Sequence, residues 1–157
     1  MLHPAEDVDW EMSTTLLAAH GLVLPTDVNW EYSCRAGTTT PWFPGAEPSN
    51  LERCANILDA AAKKGTQYTG EHVKFSDGHV IHAPVGTYRP NRFGLYDVHG
   101  NVWEWCSNLH TDPSVHRVIR GGSFFDDAHS ARSSFRASIA PSNRSYFLGL
   151  RAARALF

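Results

Sequence analysis

The sequence predicts an α+β domain in which two N-terminal helices precede a long, loop-rich region holding a small set of short strands. Three observations carry this. Helical periodicity is confined to the segment before Gly37. From Thr38 onward Gly, Pro, Asn, Asp and Ser recur every few residues, and these are the residues whose backbone or side-chain chemistry favours turns. Aromatic residues in that region come singly rather than in alternating runs, so loops must hold much of the core.

The first helix is expected from Trp10 to His20, with Trp10, Leu16, Leu17 and Ala18 on one face and Gly21 as its stop. The second runs from Pro25 to Arg35, with Thr26 as N-cap ahead of Val28, Trp30, Glu31 and Tyr32, and Gly37 at its exit. No helix is expected after Gly37. Strands are expected at Val102 to Cys106, Val118 to Arg120, Ser133 to Ser138 and Gly149 to Ala153, each flanked by turn residues.

With 157 residues the chain fits a single domain large enough to bury a core. Its formal net charge of −2, with both signs mixed along the chain, favours neither nucleic acid nor an anionic membrane surface as partner. No apolar stretch reaches the roughly 18 residues of a membrane span, and the first residues have neither the basic nor the apolar region of a secretory signal. The three cysteines, Cys34, Cys54 and Cys106, match no zinc spacing, and an odd set favours reduced thiols in a cytoplasmic compartment. A bridge with one free thiol is the other arrangement. Metals and side-chain hydrogen bonds are then the means left to pin the loops.

Five motifs stand in order along the chain: LPTDVNWEYSCRAGTTTPWFPG, HAPVGTYRPN, NRFGLYDVHGNVWEWCSN, RVIRGGSFF and FLGLRAAR. Together they resemble the sulfatase-modifying-factor family, whose founding member is the formylglycine-generating enzyme, over about His3 to Ala153. The resemblance implies a loop-rich, C-type-lectin-like fold around a small antiparallel sheet. Family members usually carry further residues ahead of HPAEDVDW, so residues 1–157 are expected to be one domain shortened at its N-terminus. An exposed sheet edge would follow, with oligomerisation or a lost partner segment as its consequence.

In the stretch from Asp97 to Glu104, two carboxylates bracket a glycine-containing loop, an arrangement that can curl round a hard cation such as calcium. Taken without context, such a pair is more often two solvated or loop-capping carboxylates. The resemblance implies a calcium site formed by the side chains of Asp97 and Glu104 with the carbonyls of Gly100 and Val102. It implies another at Asn56, Ile57, Asp77 and His79, on either side of the loop between Leu58 and Ser76. Calcium is thus the expected structural cofactor. Zinc or iron is not, since His79 and His82 are the sole close histidine pair.

The family oxidises a substrate cysteine with dioxygen at a copper ion held by two cysteines, and those positions fall on Asp126 and Ala131. A carboxylate is a hard ligand poorly matched to Cu(I) and alanine has no donor, so no copper is expected. Cys34 matches a cysteine that secreted members pair with a second one, whose position here is Arg136. Trp103, Ser123, Arg132, Arg136 and Asn143 remain at the family's substrate groove, where they are candidates to contact a peptide, protein or small-molecule ligand. Structural roles for these arginines, satisfying loose carbonyls, compete with that reading.

Three functions therefore stand open: a calcium-stabilised binding module without catalysis, an enzyme of the sulfoxide-synthase kind, and formylglycine generation by an altered route. Whether the chain is an enzyme is left open by the sequence.

Overall fold

The computed structural model describes residues 2–65, 72–109 and 116–154. Helices α1 (Trp10–Ala18) and α2 (Asp27–Arg35) lead a chain that forms a 3-10 turn at Pro48–Leu51, a third helix α3 (Ala60–Gly65), and strands β1 (Trp103–Leu109), β2 (Arg117–Arg120), β3 (Ala137–Ile139) and β4 (Leu148–Gly149). The strands form one sheet in the order β3-β2-β1-β4. Pairing is antiparallel for β1–β2 and β2–β3 and parallel for β1–β4, so the sheet is mixed rather than purely antiparallel.

Each N-terminal helix starts on a side-chain cap. Asp9 accepts from the Met12 N–H and Thr26 from the Asn29 N–H. Helix α1 buries Ser13 and Leu17, with Trp10 packed against the same cluster, and leaves Leu16 49 % exposed and Ala18 exposed, because the inward face runs through residues 10, 13 and 17, three and four apart. Helix α2 buries Trp30 and Cys34 while Val28 and Tyr32 face outward. Its C-terminal carbonyls are met by Asn91, whose amide donates to Ser33 and Cys34 at 2.7 and 3.1 Å.

The structure corrects the expectation of no helix beyond Gly37. Asp59 caps α3 by accepting from the Ala61 and Ala62 N–H groups at 2.8 and 2.9 Å. It also shortens two strands: Ser133 and Ser134 form a turn and Phe135 and Arg136 have no regular structure before β3, and past Gly149 the chain keeps one isolated bridge, Val23 to Ala153.

Three apolar clusters fill the interior: Leu17, Leu24, Trp103, Trp105, Ile119 and Leu148 between α1 and the sheet; Trp42, Leu51, Ala55 and Ile57 under the loops; and Trp30, Cys34, Val98, Cys106 and Val118 behind α2. The five tryptophans also pin loops through their indole N–H groups. Trp10, Trp42 and Trp105 donate to the carbonyls of Cys106, Ala128 and Val8, and Trp30 and Trp103 to the carboxylates of Glu104 and Asp126, all within 3.0 Å. A loop-rich core can thus stay dry without leaving loop carbonyls unpaired. All three cysteines are buried free thiols. Among the described residues no helix is long and apolar enough to cross a membrane.

Candidate functional site

Asp97, Gly100, Val102 and Glu104 line one cavity of about 460 Å³ together with Arg151. The loop that carries them turns tightly, with Asp97, Gly100 and Asn101 all at positive φ. Gly100 admits no substitute: a Cβ there would lie 1.9 Å from the Asn56 carbonyl oxygen. One carboxylate oxygen of Asp97, Oδ2, accepts from the Gly86 N–H at 2.7 Å, whereas Oδ1 is buried with no hydrogen-bond partner. Burial raises the Asp97 pKa, and the charge of Glu104 adds to the shift.

Glu104 is held differently. Its Oε2 accepts from Trp30 Nε1 at 2.6 Å, and Arg151 grips both oxygens at 2.7 to 3.1 Å. With about four lone-pair positions on a carboxylate, little of Glu104 remains for a cation. Burial opposes the charge on Arg151, yet its pKa is raised because Glu104 lies against it. Arg151 also donates to the Tyr96 and Asp97 carbonyls.

The second set joins the first through Asn56, which forms a bridge with Gly100 and accepts the Asn101 N–H on its carbonyl. Asn101 pairs with Ala83 in both directions, its Oδ1 accepting from the Ala83 N–H at 3.0 Å and its Nδ2 donating to the Ala83 carbonyl at 3.2 Å. This fixes which end of the Asn101 amide is oxygen. Asn56 Nδ2 then donates to Asn101 Oδ1 and to the Ile81 carbonyl, and Asn56 Oδ1 is left buried with no partner. Asp77 accepts from the His79 N–H at 2.8 Å and from the Tyr88 hydroxyl at 2.6 Å. Its main-chain N–H donates to Asp59 at 2.6 Å. Burial raises the Asp77 pKa, and the charge of Asp59 contributes.

Ile57 is fully buried beside Asn56. His82 turns elsewhere, pairing with Glu6 at 2.7 Å and the Tyr146 carbonyl. Among the described residues no three His, Cys, Asp or Glu side chains converge in a metal-holding arrangement. The orphaned oxygens of Asp97 and Asn56 suit a cation that also takes main-chain carbonyls, as calcium does. They do not suit one that needs several imidazoles or thiolates.

At the two positions to which the resemblance assigns the copper ligands, Asp126 is embedded in donors. Its Oδ2 accepts from Trp103 Nε1 at 2.8 Å, from the Ser123 N–H at 3.0 Å and from the Ser123 hydroxyl. Burial nevertheless raises its pKa above the ordinary carboxylate value. Ala131 is fully buried, and its carbonyl contacts His99 Nδ1 at 2.8 Å. His99 Nε2 accepts from the Phe43 N–H at 3.1 Å, so the ring is a satisfied neutral imidazole; burial pushes its pKa down to about 4. Cys34 lies beside it, and burial pushes that thiol up to about 12. Among the described residues the cysteines are all buried, so none presents an accessible soft donor at these two positions.

The candidate groove residues separate. Trp103 and Ser123 meet at Asp126. Arg132 lines a different cavity of about 530 Å³. Arg136 forms an ion pair with Asp27 at the start of α2, 2.6 Å apart, and Asn143 is exposed with its N–H bonded to the Ala140 carbonyl. Sequence reasoning missed Arg151, Asn101 and Asp59. Arg151 and Asn101 lay within the quoted motifs FLGLRAAR and GNVWEW, and Asp59 stands where an N-cap precedes Ala60-Ala61-Ala62.

Residues 1–156 match the model of the Sulfatase-modifying factor enzyme 1-like domain. The chain is 35 % identical over 173 residues to the formylglycine-generating enzyme of Streptomyces coelicolor, covering 96 % of this chain and 52 % of that protein. It is 32 % identical over 160 residues to the inactive C-alpha-formylglycine-generating enzyme 2 of Mus musculus, covering 96 % of this chain and 48 % of that protein. It therefore spans about half the length of these relatives. The structure of PvdO from Pseudomonas aeruginosa superposes with a TM-score of 0.76 at 28 % identity, over 98 % of this chain and 62 % of that one. The chain belongs to the sulfatase-modifying-factor family and has its loop-rich α+β fold.

Proposed function

We propose that this chain is a non-catalytic member of its family: a scaffold whose loops are pinned by calcium and whose surface binds a peptide, protein or small-molecule ligand. The observation that carries the reading is the buried, unpartnered Oδ1 of Asp97, in the cavity that also receives Gly100, Val102 and Glu104. A buried oxygen without a partner costs about 1–3 kcal/mol, and a bound cation removes that cost. Asp97 supplies charge and a free oxygen there. Glu104, already gripped by Arg151, supplies mainly charge.

Asn56 Oδ1 offers the same opportunity at the other set, with Asp77 as its carboxylate and the Ile57 and His79 carbonyls as further oxygens. The proposed loss of the family's oxidation rests on Asp126 and Ala131, a hydrogen-bonded carboxylate and a methyl group at the positions that the resemblance gives to two Cu(I)-holding thiolates. The likeness to an inactive relative of Mus musculus agrees with this.

Two experiments test the two halves separately. Calcium binding is measured by calorimetric titration of wild type and Asp97→Asn, the variant being expected to bind about tenfold or more weakly; equal affinities contradict the assignment. Incubation with a CxPxR peptide, dioxygen and copper should leave the peptide mass unchanged. Conversion of its cysteine to formylglycine overturns the non-catalytic reading.

A further inference from the structure

The second cavity, about 530 Å³, lies within the range of about 300–1,000 Å³ typical of small-molecule sites and is separate from both candidate calcium sets. Trp42 and Phe75 form apolar walls, and Arg132, Lys74, Glu52 and Asp127 bring charge to its lining. Arg35 and Arg120 each hold the Glu31 carboxylate, Arg136 holds Asp27 and Arg151 holds Glu104; the Nε of Arg117 and of Arg120 is also buried without a partner, but both side chains donate through other nitrogens. Arg132 holds no carboxylate among the described residues. Its Nε is buried without a hydrogen-bond partner, and its guanidinium makes no hydrogen bond or ion pair among the described residues. Its one recorded side-chain contact is with the Trp42 ring, whose centroid lies 5.7 Å from Cζ.

A guanidinium is a planar fork of donors matched to the two oxygens of a carboxylate or phosphate. Stacking on an aromatic face holds the fork without using its N–H groups. Charge decides between the two anions. The lining also holds His72 and His129; counting both imidazoles as neutral, Arg132 and Lys74 are balanced by Glu52 and Asp127, so a dianionic phosphate would meet as much repulsion as attraction, while a monoanion needs only the fork itself. Asp127 is partly occupied, accepting from the Ser130 N–H and hydroxyl at 2.9 and 3.0 Å. The apolar walls favour a flat hydrocarbon body behind the charged end.

We propose that this cavity binds a monocarboxylate carried on a flat, apolar body, with the carboxylate on Arg132 and the body against Trp42 and Phe75. The proposal rests on the reading of the domain as a binding module and names its ligand class. The carboxylate can belong to a free acid or to the C-terminus of a peptide ending in an aromatic residue.

Calorimetric titration with 3-phenylpropanoate and its neutral amide tests it on the wild-type protein. The acid should bind about tenfold or more tightly than the amide, and Arg132→Gln should bring the acid down to the affinity of the amide. A phenylalanine-terminated tripeptide, free or C-terminally amidated, separates the two sources by which acid binds more tightly. Should Arg132→Gln fail to fold, the Arg132 Nε–H resonance of wild type, assigned with Arg132→Lys, must move on adding the acid and stay still on adding the amide.

The proposal is overturned by equal affinity for acid and amide, by no binding of the acid at millimolar concentration, by an Arg132→Gln variant that keeps the preference, or by displacement of the acid by equimolar inorganic phosphate. Calcium plays no part in this preference. A protein that distinguishes acid from amide but shows no calcium binding sinks the calcium assignment and leaves this one standing.

Discussion

Asn56 and Asn101 hold each other twice: the Asn101 N–H donates to the Asn56 carbonyl at 2.7 Å, and Asn56 Nδ2 donates to Asn101 Oδ1 at 3.1 Å. The pair ties the loop of one candidate calcium site to that of the other. Replacing Asn101 by alanine leaves the Ala83 N–H and carbonyl without partners in a buried place and takes from Asn56 Nδ2 one of its two acceptors, the Ile81 carbonyl being the other. At about 1–3 kcal/mol for each buried polar group left unsatisfied, with incomplete additivity, a loss of about 3 kcal/mol or more is expected. The urea midpoint reads it directly.

Gly100→Ala should be at least as damaging. Its φ of 76° lies in the left-handed region, and the added Cβ would stand 1.9 Å from the Asn56 carbonyl. The Asn56 and Gly100 backbones must part, with a cost of about 3 kcal/mol or more. Little soluble protein, or a midpoint shifted by that amount, is the expected outcome; a wild-type midpoint would show that the two loops can separate freely.

Glu104→Gln removes the charge that Arg151 faces. Breaking a buried ion pair by altering one partner costs about 3–5 kcal/mol, because the other charge is left behind. Adding Arg151→Met should restore part of that loss. A double-mutant cycle is expected to return a coupling of about 1–3 kcal/mol between Glu104 and Arg151, and zero coupling contradicts the contact.

Proton competition gives calcium binding a pH dependence of defined sign. Asp77 and Asp97 both have raised pKa values in the fold, caused first by burial. A carboxyl raised in this way holds its proton more tightly folded than unfolded. Without metal, its contribution to stability is therefore present below the unfolded value of about 3.9 and is lost as pH rises through the folded one. Calcium competes with the same proton. Its affinity should fall as pH drops from about 7.5 to about 5, with protons released on binding; a titration at both values that gives one affinity contradicts the involvement of these carboxylates.

The legible parts of this fold were those set by local chemistry. Thr26 caps α2 as its residue type requires, and GNVWEW leads into β1 because its aromatic residues suit a buried strand. Helix α3 carried a local signal as well, Asp59 ahead of three alanines and two lysines, but at six residues it is too short for periodicity to reveal it. The parallel pairing of β4 with β1 had no sequence signature, since two residues of strand, Leu148 and Gly149, find their neighbour only when the chain is folded.

The candidate sites divide in the same way. Motif order placed Asp97, Gly100, Val102 and Glu104 together, and they do line one cavity. That Arg151 would occupy Glu104 was not legible, because it depends on the last motif returning to the first strand across 47 positions. Arg132 stood out in sequence only as one guanidinium among several. That its guanidinium holds no carboxylate appears only once the partners of Arg35, Arg120, Arg136 and Arg151 are known.

Thermal unfolding in chelator and in saturating calcium tests the central claim. At a calcium concentration about 100 times Kd, one site adds about 2.7 kcal/mol. For a chain of this size that is a rise in Tm of about 5–10 °C, which Asp97→Asn should reduce. An identical Tm with and without calcium would contradict the account of a calcium-pinned scaffold.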